Sequence, residues 1–199
     1  MLPMLPRNLF TVIGLGALAM LLYPFSRLLG SRQPRRVATA QWTPELLKQL
    51  EWRRFEELCA AYFEMVGQDA SVLVQCEPWN AHRVGIKPVR ALRGAMTSGS
   101  FGEGVLVTSG KFTQEARDFA GKEKISLIDG VELVGKITAL LPEKALALLK
   151  LATQGDYQTP TCPACTVKMI PRKSTGQGRT YWGCRNYPAC KHTVFEIGR

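Results

Sequence analysis

Four cysteines near the C-terminus of this chain have the spacing of a metal site, Cys162-x2-Cys165-x18-Cys184-x5-Cys190. A pair of thiolates two residues apart can hold one side of an ion from a tight turn, and a second pair can complete a tetrahedron. Zn²⁺ accepts four thiolates in this geometry, and such a site is structural because no coordination position stays open. The spacing therefore predicts structural zinc, with two disulfides as the alternative.

The residues around these cysteines form recognisable short motifs. They read C-P-x-C at 162–165, W-G-C at 182–184 and Y-P-x-C at 187–190. With these motifs, residues 160–198 resemble the C4 zinc ribbon at the C-terminus of type IA DNA topoisomerases. The resemblance implies a small β module that binds DNA, often single-stranded. The chain is too short to be a topoisomerase itself, because no domain is left to carry a catalytic tyrosine and its gate.

Cations and aromatic side chains alternate in this ribbon. Residues 156–199 carry seven Lys or Arg against two acids, and four thiolates with one zinc ion lower that formal +5 to about +3. Cations hold phosphates and exposed aromatic rings stack on unpaired bases. The ribbon's own small core is the alternative place for Trp182 and Phe195. The candidate DNA-binding residues are Arg172, Lys173, Arg179, Tyr181, Trp182, Arg185, Tyr187 and Lys191.

The rest of the positive charge lies at the N-terminus. Residues 1–36 hold five Arg and no acid, whereas residues 37–155 hold 14 basic and 14 acidic residues. A neutral central part is expected to supply little non-specific attraction to DNA. The charge count therefore assigns the attraction for DNA to the ribbon.

An apolar segment near the N-terminus is long enough to cross a membrane. Residues 9–25 carry no charge, and with Leu28 and Leu29 the segment reaches about 30 Å as a helix. Arginines follow it, so the positive-inside rule places the following domains in the cytosol. We expect a single-pass anchor in the inner (cytoplasmic) membrane. The alternatives are a cleaved signal peptide and a buried core helix.

Hydrophobic periodicity divides the chain into segments. Helical patterns cover 43–66, 86–96, 113–122 and 131–149, the last with a break at Pro142, and strand patterns cover 71–76, 104–108 and 125–129. Helices alternating with strands indicate an α/β domain with a largely parallel sheet. The predicted organisation is a membrane anchor helix at 1–30, a basic linker at 31–42, an α/β domain at 43–152, a linker at 153–160 and the zinc ribbon at 161–199.

The α/β segment carries a second set of motifs. They are FEELCAAYFEMVG, VQCEPW, VGIKPVRALRGAM, GVLVTSGKFTQEARDFA and ISLIDGVELV. In these pieces residues 45–140 resemble the Mrr-type restriction endonuclease domain, which belongs to the PD-(D/E)xK nuclease superfamily. The resemblance implies a restriction-endonuclease-like fold with a shortened mixed or parallel sheet flanked by helices.

That superfamily uses three groups on neighbouring strands: an Asp and a Glu or Gln that hold a divalent metal, and a Lys two residues after the Glu or Gln. Here Gln75-Cys76-Glu77 occupies the tripeptide, so Gln75 matches a metal ligand and Glu77 stands in place of the Lys. A carboxylate there would repel the phosphate. Only seven residues separate Gly67 from Gln75, too few for the hairpin that carries the family's Asp.

Three functions remain open. The first is a membrane-anchored DNA-binding protein whose nuclease centre is degenerate. The second is a Mg²⁺-dependent endonuclease that cleaves foreign or modified DNA, with Glu56, Gln75 and Glu77 on the metal and Lys87 as the cation. Under the first hypothesis Lys87 is a solvated lysine at a helix end. The third is a protein-interaction module whose ribbon binds a partner such as RNA polymerase.

Overall fold

The computed structural model describes residues 41–77, 83–174 and 180–195. The predicted anchor helix at 1–30 and nearly all of the basic linker at 31–42 lie outside these residues. Within the described ranges, no helix is long and apolar enough to cross a membrane.

Helices and strands alternate along most of the described chain, as the sequence predicts. They are α1 (Pro44–Gln49), α2 (Trp52–Met65), β1 (Val72–Cys76), β2 (Arg83–Val84), α3 (Ile86–Ser98), β3 (Glu103–Val107), β4 (Lys111–Phe112), α4 (Gln114–Ala120), β5 (Ile125–Ile128), α5 (Gly130–Thr138), α6 (Pro142–Thr153), β6 (Ile170–Lys173), β7 (Thr180–Gly183) and β8 (Thr193–Phe195).

The main sheet has the order β1-β3-β5, and both pairings are parallel. One face packs against α2, α5 and α6 around Phe55, Val107 and Leu133. The other face packs against α3 and α4 around Leu92 and Leu106. A parallel sheet covered on both faces is typical of α/β domains, so the predicted fold class is confirmed for this part of the chain.

A second, two-stranded parallel sheet pairs β2 with β4. Its register sets Arg83 beside Lys111 and Val84 beside Phe112. Val84 and Phe112 are buried in the core under α3 and α4, whereas Arg83 and Lys111 are exposed. Strands of two residues are too short to show a period of two, so β2 and β4 leave no strand signal in the sequence.

The helix predicted from 43 to 66 is two helices, and the prediction of one continuous helix was wrong. Leu50 adopts an extended conformation, and the Glu51 carboxylate caps α2 by accepting the Arg53 backbone N–H at 3.2 Å. The Glu51 backbone N–H donates to the Tyr157 carbonyl at 2.8 Å. The apolar period hides the break because α1 and α2 bury Leu47 and Phe55 in the same core.

The ribbon is a three-stranded antiparallel sheet, β6-β7-β8. The segment before the ribbon, predicted as a linker at 153–160, is held in place by packing and hydrogen bonds. Tyr157 packs against the core shared by α2, α5 and α6, and the Asp156 carboxylate accepts the N–H groups of Gln158 and Thr159. The chain therefore enters the ribbon from a structured turn.

Candidate zinc centre and nucleic-acid interface

The four ribbon cysteines converge on one point. Their Sγ atoms all lie within 4.8 Å of one another, and Cys162–Cys190 and Cys165–Cys184 are each separated by 3.8 Å. A tetrahedron with Zn–S bonds of about 2.3 Å has S–S edges of about 3.8 Å, whereas a disulfide brings two sulfurs to about 2.05 Å. The arrangement fits a structural Zn²⁺ ion, and the four cysteines that come together are those predicted as its ligands.

Local backbone bonds set the two ligand pairs. The Cys162 N–H donates to Val167 O and the Thr166 N–H donates to Cys162 O, both at 2.8 Å, which closes a tight turn around the first pair. In the second pair, the Asn186 N–H points to Cys184 Sγ at 3.4 Å. An N–H directed at a thiolate stabilises its charge and orients the ligand. The sequence therefore preorganises each half of the tetrahedron separately.

The rest of the ribbon core is small. Cys162, Met169 and Cys184 are buried, and Val167 and Trp182 pack against them with three other side chains. In β7, Trp182 faces this core, while Tyr181 and Gly183 lie on the opposite face. Of the two roles considered for Trp182, the structure favours the core.

The outer face of the ribbon carries a cation over an aromatic ring. The register places Arg172 beside Tyr181, and the Arg172 guanidinium carbon lies 5.0 Å from the centroid of Tyr187. The Tyr187 side chain is 58% exposed. A cavity of about 230 Å³ lies at this face, lined by Arg172, Tyr181, Gly183, Cys184, Tyr187, Cys190, Lys191, His192 and Thr193.

Gly183 makes room for this arrangement. A Cβ at position 183 would stand 2.5 Å from Arg172 Cδ and 2.6 Å from Nε, so the arginine can cross β7 only because the residue beneath it is glycine. Arg172 Nε is buried with no hydrogen-bond partner among the described residues. A buried donor without a partner is costly, and an anion in the adjacent cavity would offer it an acceptor.

The other candidate DNA-binding residues divide by exposure. Lys173, Arg185 and Lys191 are exposed and Tyr181 is half-buried. Arg179 lies outside the described residues. Lys191 lines the same cavity as Arg172, whereas Lys173 pairs with Thr180 and so lies on the other face of the sheet from Arg172. The outer face therefore offers Arg172 and Lys191 beside one exposed ring, as base stacking and phosphate contact require.

The candidate nuclease residues are only partly brought together. Gln75 Nε2 donates to Glu77 Oε1 at 3.3 Å, and burial raises the pKa of Glu77 against the opposing effect of that bond. Val74 and Cys76 pack toward α2, whereas Leu73 packs toward α3. By alternation, Gln75 shares the α3 side with Leu73.

Glu56 comes from α2, on the other side of the sheet. Burial raises the pKa of Glu56, and the negative charge of Glu51 adds to the effect. A cavity of about 380 Å³ at the edge of β1 is lined by Glu56, Cys59, Ala60, Phe63, Val74, Gln75 and Cys76. Gln75 is among the residues that line this cavity, although its side chain is on the α3 side of the sheet. Lys87 is exposed in the first turn of α3. In the described part of the chain, the four cysteines are the only group of three or more Cys, His, Asp or Glu with converging ligand atoms.

Sequence reasoning missed Glu51, which joins the ribbon to the α/β domain. Its buried carboxylate accepts the Thr161 N–H at 3.2 Å, the Thr161 hydroxyl at 3.0 Å and the Lys168 ammonium at 3.2 Å. Next to it, Trp52 Nε1 donates to Thr161 O at 2.7 Å. Thr161 directly precedes the ligand Cys162. One carboxylate thus connects the start of α2 to the first zinc turn.

Two family comparisons match separate parts of the chain. Residues 67–137 match the family described as restriction endonuclease, in its Mrr catalytic-domain form. Residues 159–196 match the topoisomerase DNA binding C4 zinc finger family. Both resemblances found in the sequence are confirmed.

The chain can also be compared with curated proteins and with solved structures. No curated protein matches the chain. Among solved structures, the DNA modification-dependent restriction endonuclease AspBHI is similar with 16% identity and a TM-score of 0.38. The match covers 54% of this chain and 38% of AspBHI, so the chain spans well under half of that protein.

Proposed function

We propose that this chain, which joins an Mrr-type restriction endonuclease domain to a topoisomerase-type C4 zinc ribbon, is a membrane-anchored DNA-binding protein whose nuclease centre is degenerate. One contrast carries the proposal. The ribbon has a full zinc ligand set and a cationic, aromatic outer face, whereas β1 ends in a Gln75–Glu77 pair with a carboxylate in place of the lysine.

The DNA-binding surface is the outer face of the ribbon. Arg172 and Lys191, which line the cavity on that face, supply charges for the phosphates, and the exposed ring of Tyr187 supplies a platform for an unpaired base. A ring already stacked against a guanidinium is held in place, so little side-chain freedom is lost on binding. Single-stranded DNA suits this surface because its bases are free to stack.

Two features of the α/β domain support loss of catalysis. The Glu77 carboxylate adds negative charge where the family uses a lysine to meet the phosphate, and Gln75 already donates to it. The contiguous residues between α2 and β1 form a turn closed by the Asp69 carboxylate on the Ser71 N–H at 2.8 Å, without a strand. The hairpin that supplies the family's metal-binding Asp therefore has no counterpart in this connection.

The support for the membrane anchor comes from the sequence. The 17-residue uncharged segment at 9–25 and the arginines after it support one helix in the inner membrane with the DNA-binding domains in the cytosol. In that compartment thiolates stay reduced, as the zinc site requires. The protein would then hold DNA near the membrane.

Binding of single-stranded DNA tests the ribbon surface. We expect the full chain in detergent micelles to bind a fluorescent single-stranded oligonucleotide at low salt, measured by anisotropy. Tyr187→Ala removes the stacking ring and should weaken binding about tenfold, within the range measured for base stacking. Lys150→Ala, an exposed residue of α6, should leave binding unchanged. A wild-type chain that binds no oligonucleotide would support the protein-interaction hypothesis instead.

The second candidate is a Mg²⁺-dependent endonuclease, favoured by the one cavity that Gln75 and Glu56 share. If the centre is degenerate, the full chain should not nick supercoiled plasmid with Mg²⁺ or Mn²⁺, including plasmid with modified bases. Metal-dependent nicking that disappears in both Gln75→Ala and Glu56→Ala would overturn the degenerate-centre proposal and leave DNA binding by the ribbon intact.

A further inference from the structure

Two cysteines of the α/β domain have no part in the zinc centre. The chain has six cysteines, and four of them form the cluster in the ribbon. The other two, Cys59 and Cys76, lie on different elements, α2 and β1. The fold nevertheless brings them together, because Cys76 packs against the core cluster that contains Cys59.

The two thiols also interact directly. A hydrogen bond to Cys76 raises the pKa of the Cys59 thiol well above its usual range, and burial adds to the effect. The protonated Cys59 is therefore the form that is favoured, and its S–H donates to the sulfur of Cys76. Two sulfurs in hydrogen-bond contact have only a short distance to move to the S–S separation of a disulfide, about 2.05 Å.

The two cysteines differ in their access to solvent. Cys59 is 1% exposed, whereas Cys76 is half-buried, as are all five residues of β1. In the described part of the chain β1 pairs with β3 only, and its other edge borders the cavity of about 380 Å³ beside Glu56 and Gln75. A small reagent therefore meets Cys76 first, and Cys59 is the thiol held against it.

We propose that Cys59 and Cys76 form a reversible disulfide that ties α2 to β1 when a small-molecule disulfide accumulates. This redox site is separate from the zinc centre and independent of DNA binding by the ribbon. Cytosolic disulfides are usually transient and redox-sensing, so the reduced pair is the resting state of the protein.

The bond forms in two exchange steps. Cys76 loses its proton to water, and its thiolate attacks one sulfur of the small disulfide, whose S–S bond breaks and releases one small thiolate. Cys59 then loses its proton, and its sulfur attacks Cys76 Sγ in the mixed disulfide, which releases the second small thiolate. The two protein thiols lose two electrons, and the small disulfide gains them and takes up the two protons as two thiols.

The bond should make the α/β domain harder to unfold. It closes a loop that contains residues 60–75, and a cross-link across a loop of this size stabilises a protein chiefly by restricting its unfolded chain. The zinc thiolates are not part of this loop. The effect should therefore appear as a higher melting temperature at unchanged zinc content.

Peptide mapping of the full chain tests the bond. Between Arg54 and Arg83 the chain has no Lys or Arg, so trypsin releases Cys59 and Cys76 in one peptide that contains none of the ribbon cysteines. The zinc-loaded chain in detergent micelles is treated with oxidised glutathione, alkylated in urea and digested. We expect this peptide to be unalkylated and lighter than its reduced form by two hydrogen atoms. Dithiothreitol should restore two alkylated cysteines.

The unfolded chain provides the reference for the effect of the fold. The folded chain should form the bond at a roughly tenfold lower concentration of oxidised glutathione than the chain in urea, because the fold holds the two thiols together. The oxidised chain should melt several degrees higher than the reduced one. Equal oxidation of the folded and unfolded chains, or a melting temperature that the bond does not raise, would overturn the proposal.

Two single variants separate the roles of the thiols. Cys59→Ala leaves Cys76 without a partner, so the peptide should retain one glutathione and the melting temperature should not rise. Cys76→Ser should leave the buried Cys59 unmodified in the folded chain. Glutathione retained on Cys76 of the wild type, with no bond to Cys59, would show that the thiols do not reach each other and would refute the proposal. Failure of the wild type to bind DNA would refute the proposed function and leave this bond unaffected.

Discussion

Cys184→Ser is expected to unfold the zinc ribbon and abolish its binding to single-stranded DNA. The variant leaves three thiolates, and structural zinc supplies an apparent 10–16 kcal/mol, roughly, to modules of this size. The three buried residues of the ribbon core, Cys162, Met169 and Cys184, include two of the metal ligands. Without the ion, the remaining apolar contacts cannot offset the entropy of ordering the ribbon.

The measurement is zinc content per chain, together with fluorescence of Trp182 and the other tryptophans. Far-UV circular dichroism should retain the helical signal of the α/β domain, because α1 to α6 lie before the ribbon. Cys76→Ser is the matched control: Cys76 lies in β1, outside the four-cysteine cluster, so this variant should keep one zinc ion. A Cys184→Ser protein that keeps one tightly bound zinc and wild-type DNA affinity would show that three thiolates suffice.

The features that could be predicted from the sequence are those encoded within a short segment of the chain. The zinc ligands lie in two short segments with fixed spacing, and each segment closes its own turn, so Cys162 to Cys190 could be assigned without the fold. The parallel sheet was predictable because β1, β3 and β5 are short, largely apolar segments between helical patterns. These elements need no knowledge of their partners.

Features that depend on pairing were not predictable. Trp182 and Tyr187 are both aromatic residues between cations, and only the register of β7 shows that the first faces the core. The number of acidic and basic residues shows that the α/β domain is neutral as a whole, but it does not show which charges lie together. The pairing of β2 with β4 sets Arg83 beside Lys111. Glu51 looks like a surface residue within a helical period, because its partners lie more than a hundred residues away.

Glu51→Ala is expected to uncouple the ribbon from the α/β domain. The substitution leaves the Thr161 N–H and hydroxyl without their acceptor and removes the counter-charge of Lys168. Loss of one partner of a buried pair costs about 3–5 kcal/mol, and the lower end applies because the Lys168 side chain is 35% exposed. The loss of the α2 cap adds about 1 kcal/mol.

Urea unfolding of the full chain should therefore show a free energy of unfolding lower by about 3–4 kcal/mol or a separate ribbon transition. Limited proteolysis should cut between residues 153 and 161, since Tyr157 O loses a well-placed Glu51 N–H. Glu57→Ala is the matched control: the Glu57 side chain is 45% exposed and pairs with Arg53 and Arg54 at 3.6 Å, so the substitution should change stability by less than about 1 kcal/mol. If Glu51→Ala is as stable and as resistant to proteolysis as Glu57→Ala, the Glu51 carboxylate does not hold the two domains together, and the remaining contacts, such as the Trp52 Nε1 bond to Thr161 O, suffice. If it is less stable or more readily cut, the Glu51 carboxylate fixes the position of the ribbon against α2, and a strand bound by Arg172 and Tyr187 has a defined path relative to the α/β domain.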